Sequence, residues 1–291
     1  MPRRAHPVRS LTARLWWIWS LLRRTSQAWN NHEATRFGAS LAFYTILSLA
    51  PLVILAVALA AIFVGLPAAQ GAVLTQFRDL IGAAGANAVK SMILNARNLH
   101  TGSLASLIAL GTLLFGASQV FVELQAALNR ICDADTIADN ELIGLIRRRF
   151  FSFGLVLAIG LLLLVSLLVS AALGAIASFL DGTLSLPEWV LRAFDFLVSV
   201  AGTSALFALM FRYIPDAKVP WRDAWIGGVV TAGLFSLGKS LIGLYLGKAS
   251  IGSAYGAAGS LVAIVVWVYY SSQIFLFGAE LTHELGQDAP H

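Results

Sequence analysis

Residues 150–179 read FFSFGLVLAIGLLLLVSLLVSAALGAIASF, and no position in this stretch carries a charge. An α-helix rises 1.5 Å per residue, so roughly 20 apolar residues cross the ~30 Å hydrocarbon core of a bilayer. The stretch stays apolar on all sides, as in the run from Leu161 to Leu168, whereas barrel strands alternate between polar and apolar. It therefore predicts a membrane-spanning helix.

The chain contains six stretches of this kind. They cover residues 38–66, 103–122, 150–179, 189–213, 224–246 and 254–281. Charged residues make up 12% of the 291 positions and the mean hydropathy is +0.78, whereas soluble domains carry about 25% charged residues. We therefore expect an all-α fold, a polytopic bundle of six transmembrane helices with additional amphipathic interfacial helices.

Three regions follow from this pattern. Residues 1–36 form a basic cytoplasmic arm, residues 37–285 a six-span membrane domain, and residues 286–291 a short cytoplasmic tail. Apolar residues in the arm recur at helical spacing among arginines and predict a helix that lies in the membrane interface and contacts anionic lipid. They are Leu11, Leu15, Ile18, Trp19 and Leu22. A simple tether and a sensor or docking element are the alternatives for this helix.

The distribution of Lys and Arg predicts the orientation. These residues concentrate in the N-terminal arm and in the loops after the second and fourth spans, which all lie on one side of the membrane. The positive-inside rule places both termini in the cytoplasm. The net charge of +5 is then explained by contact with lipid, and no nucleic-acid partner is expected.

The segment 67–102, on the outer side, is long for a connection between spans. Two apolar stripes at helical spacing predict two short amphipathic helices in it. The first stripe is Val73, Phe77, Leu80 and Ile81, and the second is Val89, Met92, Ile93 and Ala96.

Enzyme signatures are missing from the sequence. It contains no HExxH, CxxC, GxSxG or phosphate-binding Walker motif, and its carboxylates are scattered over loops and span ends. Cys132 is the one cysteine, so no intrachain disulfide can form. We expect neither enzymatic activity nor a metal or other cofactor.

Polar residues inside the spans are the candidate functional residues, because burying a charge there costs about 2.5–3.5 kcal/mol on insertion scales. Lys239 in the fifth span and Asp195 in the fourth lie on the same side of the midplane and are predicted to pair or to face one aqueous cavity. The alternative is that Lys239 extends toward the headgroups along its flexible stem.

A second group of polar residues lies toward the cytoplasmic side, where it would line an inner vestibule or mark the ends of helices. It comprises Gln119, Glu123, Gln125, Gln273 and Glu280, and Tyr44 is a further candidate for a polar path through the bundle. Pro51 falls inside the first span and predicts a kink there. The pairs Gly243-xxx-Gly247 and Gly252-xxx-Gly256 permit a homo-oligomer without requiring one.

Several motifs together resemble the YihY/BrkB-like inner-membrane proteins over roughly residues 30–285. The longest is the run from Tyr213 to Ala224, YIPDAKVPWRDA, followed by Gly227. The others are Ala42-Phe43-Tyr44, Ser48-Leu49-Ala50-Pro51-Leu52, Ala127-Leu128-Asn129-Arg130-Ile131, Tyr255-Gly256-Ala257-Ala258-Gly259 and Gly278-Ala279-Glu280-Leu281.

The resemblance implies a six-span bacterial inner-membrane protein with cytoplasmic ends. Members of the family have been labelled ribonuclease BN, virulence factor, or transporter of lipids or small solutes, and no established catalytic residues carry over to this chain. We expect a transporter or a lipid- or solute-handling protein of the cell envelope. The alternatives are a structural or assembly factor without a transport path and a membrane-bound enzyme, for which the residues give no support.

Overall fold

The computed structural model of the protein describes residues 11–98, 103–134, 188–248 and 259–287. Every regular element in these residues is an α-helix, so the predicted all-α fold is confirmed. The seven described helices are α1 (Leu11–Asn31), α2 (Ala34–Val64), α3 (Leu66–Asn98), α4 (Ser103–Ile131), α5 (Glu188–Tyr213), α6 (Trp221–Lys248) and α7 (Gly259–Gln287).

Five of these helices coincide with predicted spans, namely α2, α4, α5, α6 and α7. The span predicted at 150–179 lies outside the described residues. By length and composition alone, two helices within the described part are apolar enough to cross a membrane, over Trp221–Leu241 and Leu261–Gln287. The count of six spans and the three-region division stay predictions.

The prediction of two short helices in 67–102 is wrong. The structure has a single continuous helix, α3, over Leu66–Asn98. Its middle, IGAAGA at residues 81–86, contains no proline. A glycine inside a helix costs only about 1 kcal/mol relative to alanine, so Gly82 and Gly85 do not end it. Both apolar stripes contribute to one cluster with α2 and α7, in which Val89 and Ile93 are buried and Phe77 is partly buried.

Helices α1 and α2 are joined by a tight break at His32 and Glu33. Glu33 adopts the left-handed conformation, with φ 54° and ψ 37°, which separates the two helices. A non-glycine residue adopts this conformation only at some cost in free energy. The break leaves the His32 side chain beside α7 rather than on the outside of the bundle.

Helix α7 is the centre of the described bundle, because it contacts each of the other six described helices. One apolar cluster surrounds its C-terminal half and includes Leu128, Phe211 and Leu276. A second surrounds its N-terminal half and includes Val53, Val89 and Ile264. The ring of Phe211 lies 5.1 Å from that of Phe275 between centroids, which joins α5 to α7.

Helices α6 and α7 cross in close contact through two reciprocal glycine–threonine pairs. A Cβ added at Gly227 of α6 would overlap the hydroxyl of Thr282 on α7, and one added at Gly278 of α7 would overlap that of Thr231 on α6. The order of these contacts makes the helices antiparallel. Each threonine donates its hydroxyl to the carbonyl four residues earlier, Thr231 to Gly227 at 2.6 Å and Thr282 to Gly278 at 2.7 Å. Every hydroxyl in this crossing is therefore satisfied.

Candidate functional site

A carboxylate is buried at the C-terminal end of the central helix. Glu280 on α7 is 0% exposed, and its Oε1 lies 2.8 Å from Nδ1 of His32, which follows α1. Its second oxygen, Oε2, is also buried and has no hydrogen-bond partner within the described part of the protein. A buried ionisable group of this kind requires compensation or a function.

Helix α1 covers this carboxylate with a face that is partly polar. The hydroxyl of Thr25 and the indole N–H of Trp29 are buried on that face, and neither has a hydrogen-bond partner in the described ranges. Further along the same contact, Nε of Arg24 lies 3.7 Å from Oε2 of Glu284. The α1–α7 contact therefore combines one ion pair with three buried polar atoms that no described group satisfies.

The end of α4 brings further titratable groups to the same place. The helix ends with Asp133 in the left-handed conformation, at φ 47°, while the N–H of Ala134 donates to the carbonyl of Asn129 at 3.0 Å. This is the pattern of a Schellman helix end. Oδ2 of Asp133 lies 3.7 Å from Nε2 of His283 on α7.

Cys132, next to Asp133, is partly buried against the apolar cluster around Leu128 and Leu276. Burial, together with the negative charges of Glu280 and Asp133, raises the pKa of the Cys132 thiol to about 12. The environment around Glu280 thus disfavours any additional negative charge.

Two of the motifs that resemble the YihY/BrkB-like proteins meet next to this cluster. The Asn129 amide donates to Oδ2 of Asp216 at 2.7 Å, and its Oδ1 accepts the backbone N–H of Asp216 at 2.8 Å. Arg212 donates to the carbonyl of Val219, and its guanidinium lies 5.6 Å from the ring centroid of Trp221. These contacts hold the connection between α5 and α6 against the end of α4.

Gln273 is the second predicted polar residue on α7, two helical turns before Glu280. It packs over Gly38 of α2, where an added Cβ would overlap its Nε2, and that nitrogen lies 3.5 Å from the carbonyl of Thr35. Its Oε1 is buried without a hydrogen-bond partner among the residues that are described. Gln273 and Glu280 therefore share the face of α7 that meets α1 and the start of α2.

The other predicted residues lie elsewhere. Lys239 is exposed on α6, and the neighbouring Gly238 packs against Tyr270. By helical rise, Lys239 lies on the order of 18 Å along α6 from the Gly227 crossing. An exposed ammonium is consistent with a stem that extends toward the headgroups. The side chain of Asp195 lies outside the described ones, so the pairing of Lys239 with Asp195 stays a prediction.

Tyr44, Gln119 and Glu123 are half-buried on α2 and α4. The contribution of Gln119 and Glu123 to a vestibule, and of Tyr44 to a polar path, stays a prediction. Helix α2 runs on through Pro51, so this proline does not end the helix. The kink predicted there stays a prediction as well.

Sequence patterns alone did not single out His32, Thr25 and Trp29 as functional residues. Trp29 follows Thr25 by four residues, and His32 follows Trp29 by three. This helical spacing places the three side chains on one side of α1 and its end, and it is the sequence signal that could have identified them. The partner that gives them significance, Glu280, is 248 residues away from His32 in the chain. Only the tertiary structure connects the two.

Two of the described helices are long and apolar enough to span a bilayer. Comparison with known families agrees. The family model described as Virulence factor BrkB matches residues 25–291, and the chain belongs to this family. The resemblance noted in the sequence is thereby confirmed.

Curated relatives carry the name UPF0761 membrane protein. One from Rhodospirillum centenum is 32% identical over 260 residues, which cover 88% of this chain and 55% of the relative. One from Verminephrobacter eiseniae is 35% identical over 122 residues, covering 42% of this chain and 27% of the relative. One from Pseudomonas aeruginosa is 36% identical over 140 residues, which cover 47% of this chain and 33% of the relative.

The chain thus spans about half of the length of these relatives at most. No solved structure matches it.

Proposed function

We propose that the protein is a six-span bacterial inner-membrane protein with both termini in the cytoplasm, and that it moves a solute or a lipid along a polar path through its bundle. Membership of a membrane protein family and the two long apolar helices support the membrane location. The concentration of Lys and Arg on one side supports the orientation.

The single observation that carries this proposal is the burial of Glu280. A helix used only for packing would place an apolar side chain at a fully buried position, because a charge within a span costs about 2.5–3.5 kcal/mol on insertion scales. Glu280 is instead 0% exposed in a helix that is otherwise apolar enough to span, and one of its oxygens has no described partner. Such residues in membrane helices mark pathways for ions and substrates.

The path would continue from Glu280 to Gln273 along the same face of α7. Tyr44, Gln119 and Glu123 on the flanking helices would line its wider part, while Lys239 and Asp195 would mark its outer end.

The exposed side of α1 supports contact with lipid. Trp16 is 73% exposed, and Trp19 is exposed as well. Further along, a shallow groove on this helix is lined by Trp19, Leu22 and Arg23, followed by polar residues to Asn31. Indole rings favour the headgroup layer, and arginine attracts anionic headgroups. We place α1 in the cytoplasmic interface, with anionic lipid as its partner.

The runner-up function is a structural or assembly factor of the envelope. The tight and fully satisfied crossing of α6 and α7 favours it, since that crossing leaves no room for a path between these two helices. The third candidate is a membrane-bound enzyme. A metal-dependent one would need a cluster of ligands, and within the described residues no group of three or more His, Cys, Asp or Glu could hold a metal ion.

Flux measurements on proteoliposomes test the proposal. Vesicles that contain the full chain are exposed to iso-osmotic sugars, amino acids or glycerol in a swelling assay, and fluorescent phospholipids are followed across the bilayer in parallel. We expect flux above that of protein-free vesicles in at least one arm, and its loss in Glu280→Gln. Flux equal to that of empty vesicles in every arm favours the structural role.

Reporter fusions test the orientation separately. A periplasm-active and a cytoplasm-active reporter are fused in turn to each end of the chain. Cytoplasmic reporter activity is expected at both ends, and activity on opposite sides would rule out six crossings.

A further inference from the structure

We infer that Glu280 and His32 form a proton-binding site that exchanges protons with the cytoplasmic side, and that the proton is the ion coupled to transport. This inference rests on the proposed function, since a coupling ion has meaning only in a transporter. The proton is the proposed ligand of this site, for which the sequence had indicated no coupling ion.

The two oxygens of Glu280 have different roles in this site. Oε1 lies 2.8 Å from Nδ1 of His32, which is a hydrogen-bond distance. Oε2 is buried with no donor from the described residues directed at it. Because hydrogen bonds from donors stabilise a carboxylate against protonation, the oxygen without a donor is the one on which a proton can rest.

The difference in exposure between the two residues gives the route. The side chain of Glu280 is 0% exposed and that of His32 is 18% exposed. A proton from water therefore reaches the imidazole before the carboxylate.

The transfer itself is a balanced relay. A hydronium ion gives a proton to Nε2 of His32 and becomes water, and the proton on Nδ1 passes to Oε1 of Glu280. The imidazole is then neutral with its proton on Nε2, and the carboxyl is neutral. Rotation of the carboxyl group exchanges its oxygens and carries the proton to the buried side.

Charge counting shows why the pair holds one proton. With one shared proton the pair is neutral overall, whereas with none it carries a negative charge in a water-poor site, which is costly. From α4, Asp133 adds a negative charge and Cys132 a neutral thiol. On α7, Glu284 adds a negative charge and His283 lies within 3.7 Å of Asp133.

Cationic and acidic groups from the remaining helices complete the surroundings. Arg24 of α1 pairs with Glu284 and offsets its charge. Asp223 of α6 lies beside Gly286, nearly two turns beyond Glu280. Glu33 in the break pairs with Arg36 in the first turn of α2, and both side chains are exposed. The net balance around Glu280 is acidic, which favours capture of a proton from the cytoplasm.

The test combines proton flux with a spectroscopic measurement on the full chain in proteoliposomes. A trapped pH-sensitive dye reports proton entry after an external acid pulse. Infrared difference spectra between acidic and alkaline buffer report the C=O stretch of protonated carboxyl groups. The variants are Glu280→Gln, which removes the titrating group but keeps its shape, and His32→Gln, which keeps a donor but cannot relay. Glu33→Gln is the matched control, because it makes the same chemical change next to His32 at an exposed position.

We expect proton entry to fall at least tenfold in Glu280→Gln and in His32→Gln, and to stay unchanged in Glu33→Gln. One carboxyl band of the wild-type difference spectrum should be missing in Glu280→Gln and present in Glu33→Gln. A spectrum that is identical in wild type and Glu280→Gln overturns the inference, because Glu280 then exchanges no proton.

The two proposals fail in different ways. Solute or lipid flux that persists without any dependence on the proton gradient overturns proton coupling and leaves the transport function standing. A carboxyl band assigned to Glu280 in a protein that moves no solute or lipid overturns transport and with it the coupling, while the proton-binding site is retained. The band is assigned to Glu280 by its absence in Glu280→Gln, and a wild-type circular dichroism spectrum of that variant shows that the absence is not caused by unfolding.

Discussion

The C-terminal half of α7 contacts α6 on one side and α1 on the other, and the two contacts are built in opposite ways. Toward α6, glycines accept threonines and both hydroxyls are bonded at 2.6 and 2.7 Å. Toward α1, Thr25, Trp29 and Glu280 each bury a polar atom without a described partner. The same turns of α7 thus have two different sides. On the side toward α6, which we call the closed side, both threonine hydroxyls are hydrogen-bonded. On the side toward α1, which we call the unsatisfied side, buried polar atoms have no described partner.

The difference between these two contacts indicates that they have different roles. Small residues allow close approach of helices and stabilise a membrane bundle through van der Waals contact. Unsatisfied polar atoms cost about 1–3 kcal/mol each, so a contact made only for stability would not keep them. The α6–α7 side is therefore built for packing, and the unsatisfied polar atoms are the reason for which we propose a functional site on the α1–α7 side.

The largest effect is expected on the closed side. Gly227→Ala introduces a methyl group that overlaps the hydroxyl of buried Thr282, and we expect the free energy of unfolding to fall by about 1–3 kcal/mol, as for overpacked cores. Denaturant titration in detergent measures it. Gly233→Ala on the same helix is the control, because its Cβ meets nothing within 4 Å, and a gain of up to about 1 kcal/mol is expected there. Equal effects of the two substitutions would show that the crossing is not tight.

A matched substitution compares the two sides directly. Thr231→Val removes a hydroxyl that is bonded, and it should lower the free energy of unfolding by about 0.5–1.5 kcal/mol. Thr25→Val removes a buried hydroxyl that has no partner among the described groups, and the same measurement should show no loss or a gain of about 1 kcal/mol. A loss in Thr25→Val as large as that in Thr231→Val would mean that both sides are satisfied, and the contrast would disappear.

The smallest effect is expected at Cys132, the one native thiol. With a pKa of about 12, its thiolate fraction is small at neutral pH, so alkylation of the folded protein should be slow and should accelerate about tenfold per pH unit between pH 7 and 9. Glu280→Gln removes a negative charge that raises this pKa, so labelling at a fixed pH should become faster. Mass spectrometry after timed exposure to a maleimide measures the rate. Labelling in Glu280→Gln at a rate equal to or below that of wild type would show that the charge of Glu280 does not raise the pKa of this thiol.

The positions of the helices could be predicted from sequence because the hydrophobic signal is local. Described helices cover the predicted spans beginning near residues 38, 103, 189, 224 and 254 to within a few residues at most ends. The prediction for segment 67–102 was wrong because two stripes of apolar residues do not show whether the helix is interrupted between them. The Ala-rich sequence around Gly82 and Gly85 continues as a helix, and both stripes pack against the same cluster.

The candidate site was predictable only in part. Glu280 and Gln273 could be identified because a polar residue in an apolar run is visible in the sequence. His32 could not, because its meaning depends on a left-handed residue at position 33 and on a helix far along the chain. The contact of Asn129 with Asp216 was likewise hidden, although both residues lie in motifs that the sequence had singled out.

The central position of α7 has a consequence for biogenesis. It is the last of the described helices to be synthesised, yet it contacts all six that precede it. Those six are synthesised before their common partner exists, so Thr25 and His32 of the α1 region stay uncovered until α7 is made. Chaperones and quality-control proteases at the insertion machinery would meet that incomplete bundle first, and a ribosome stalled shortly before codon 259 would trap it.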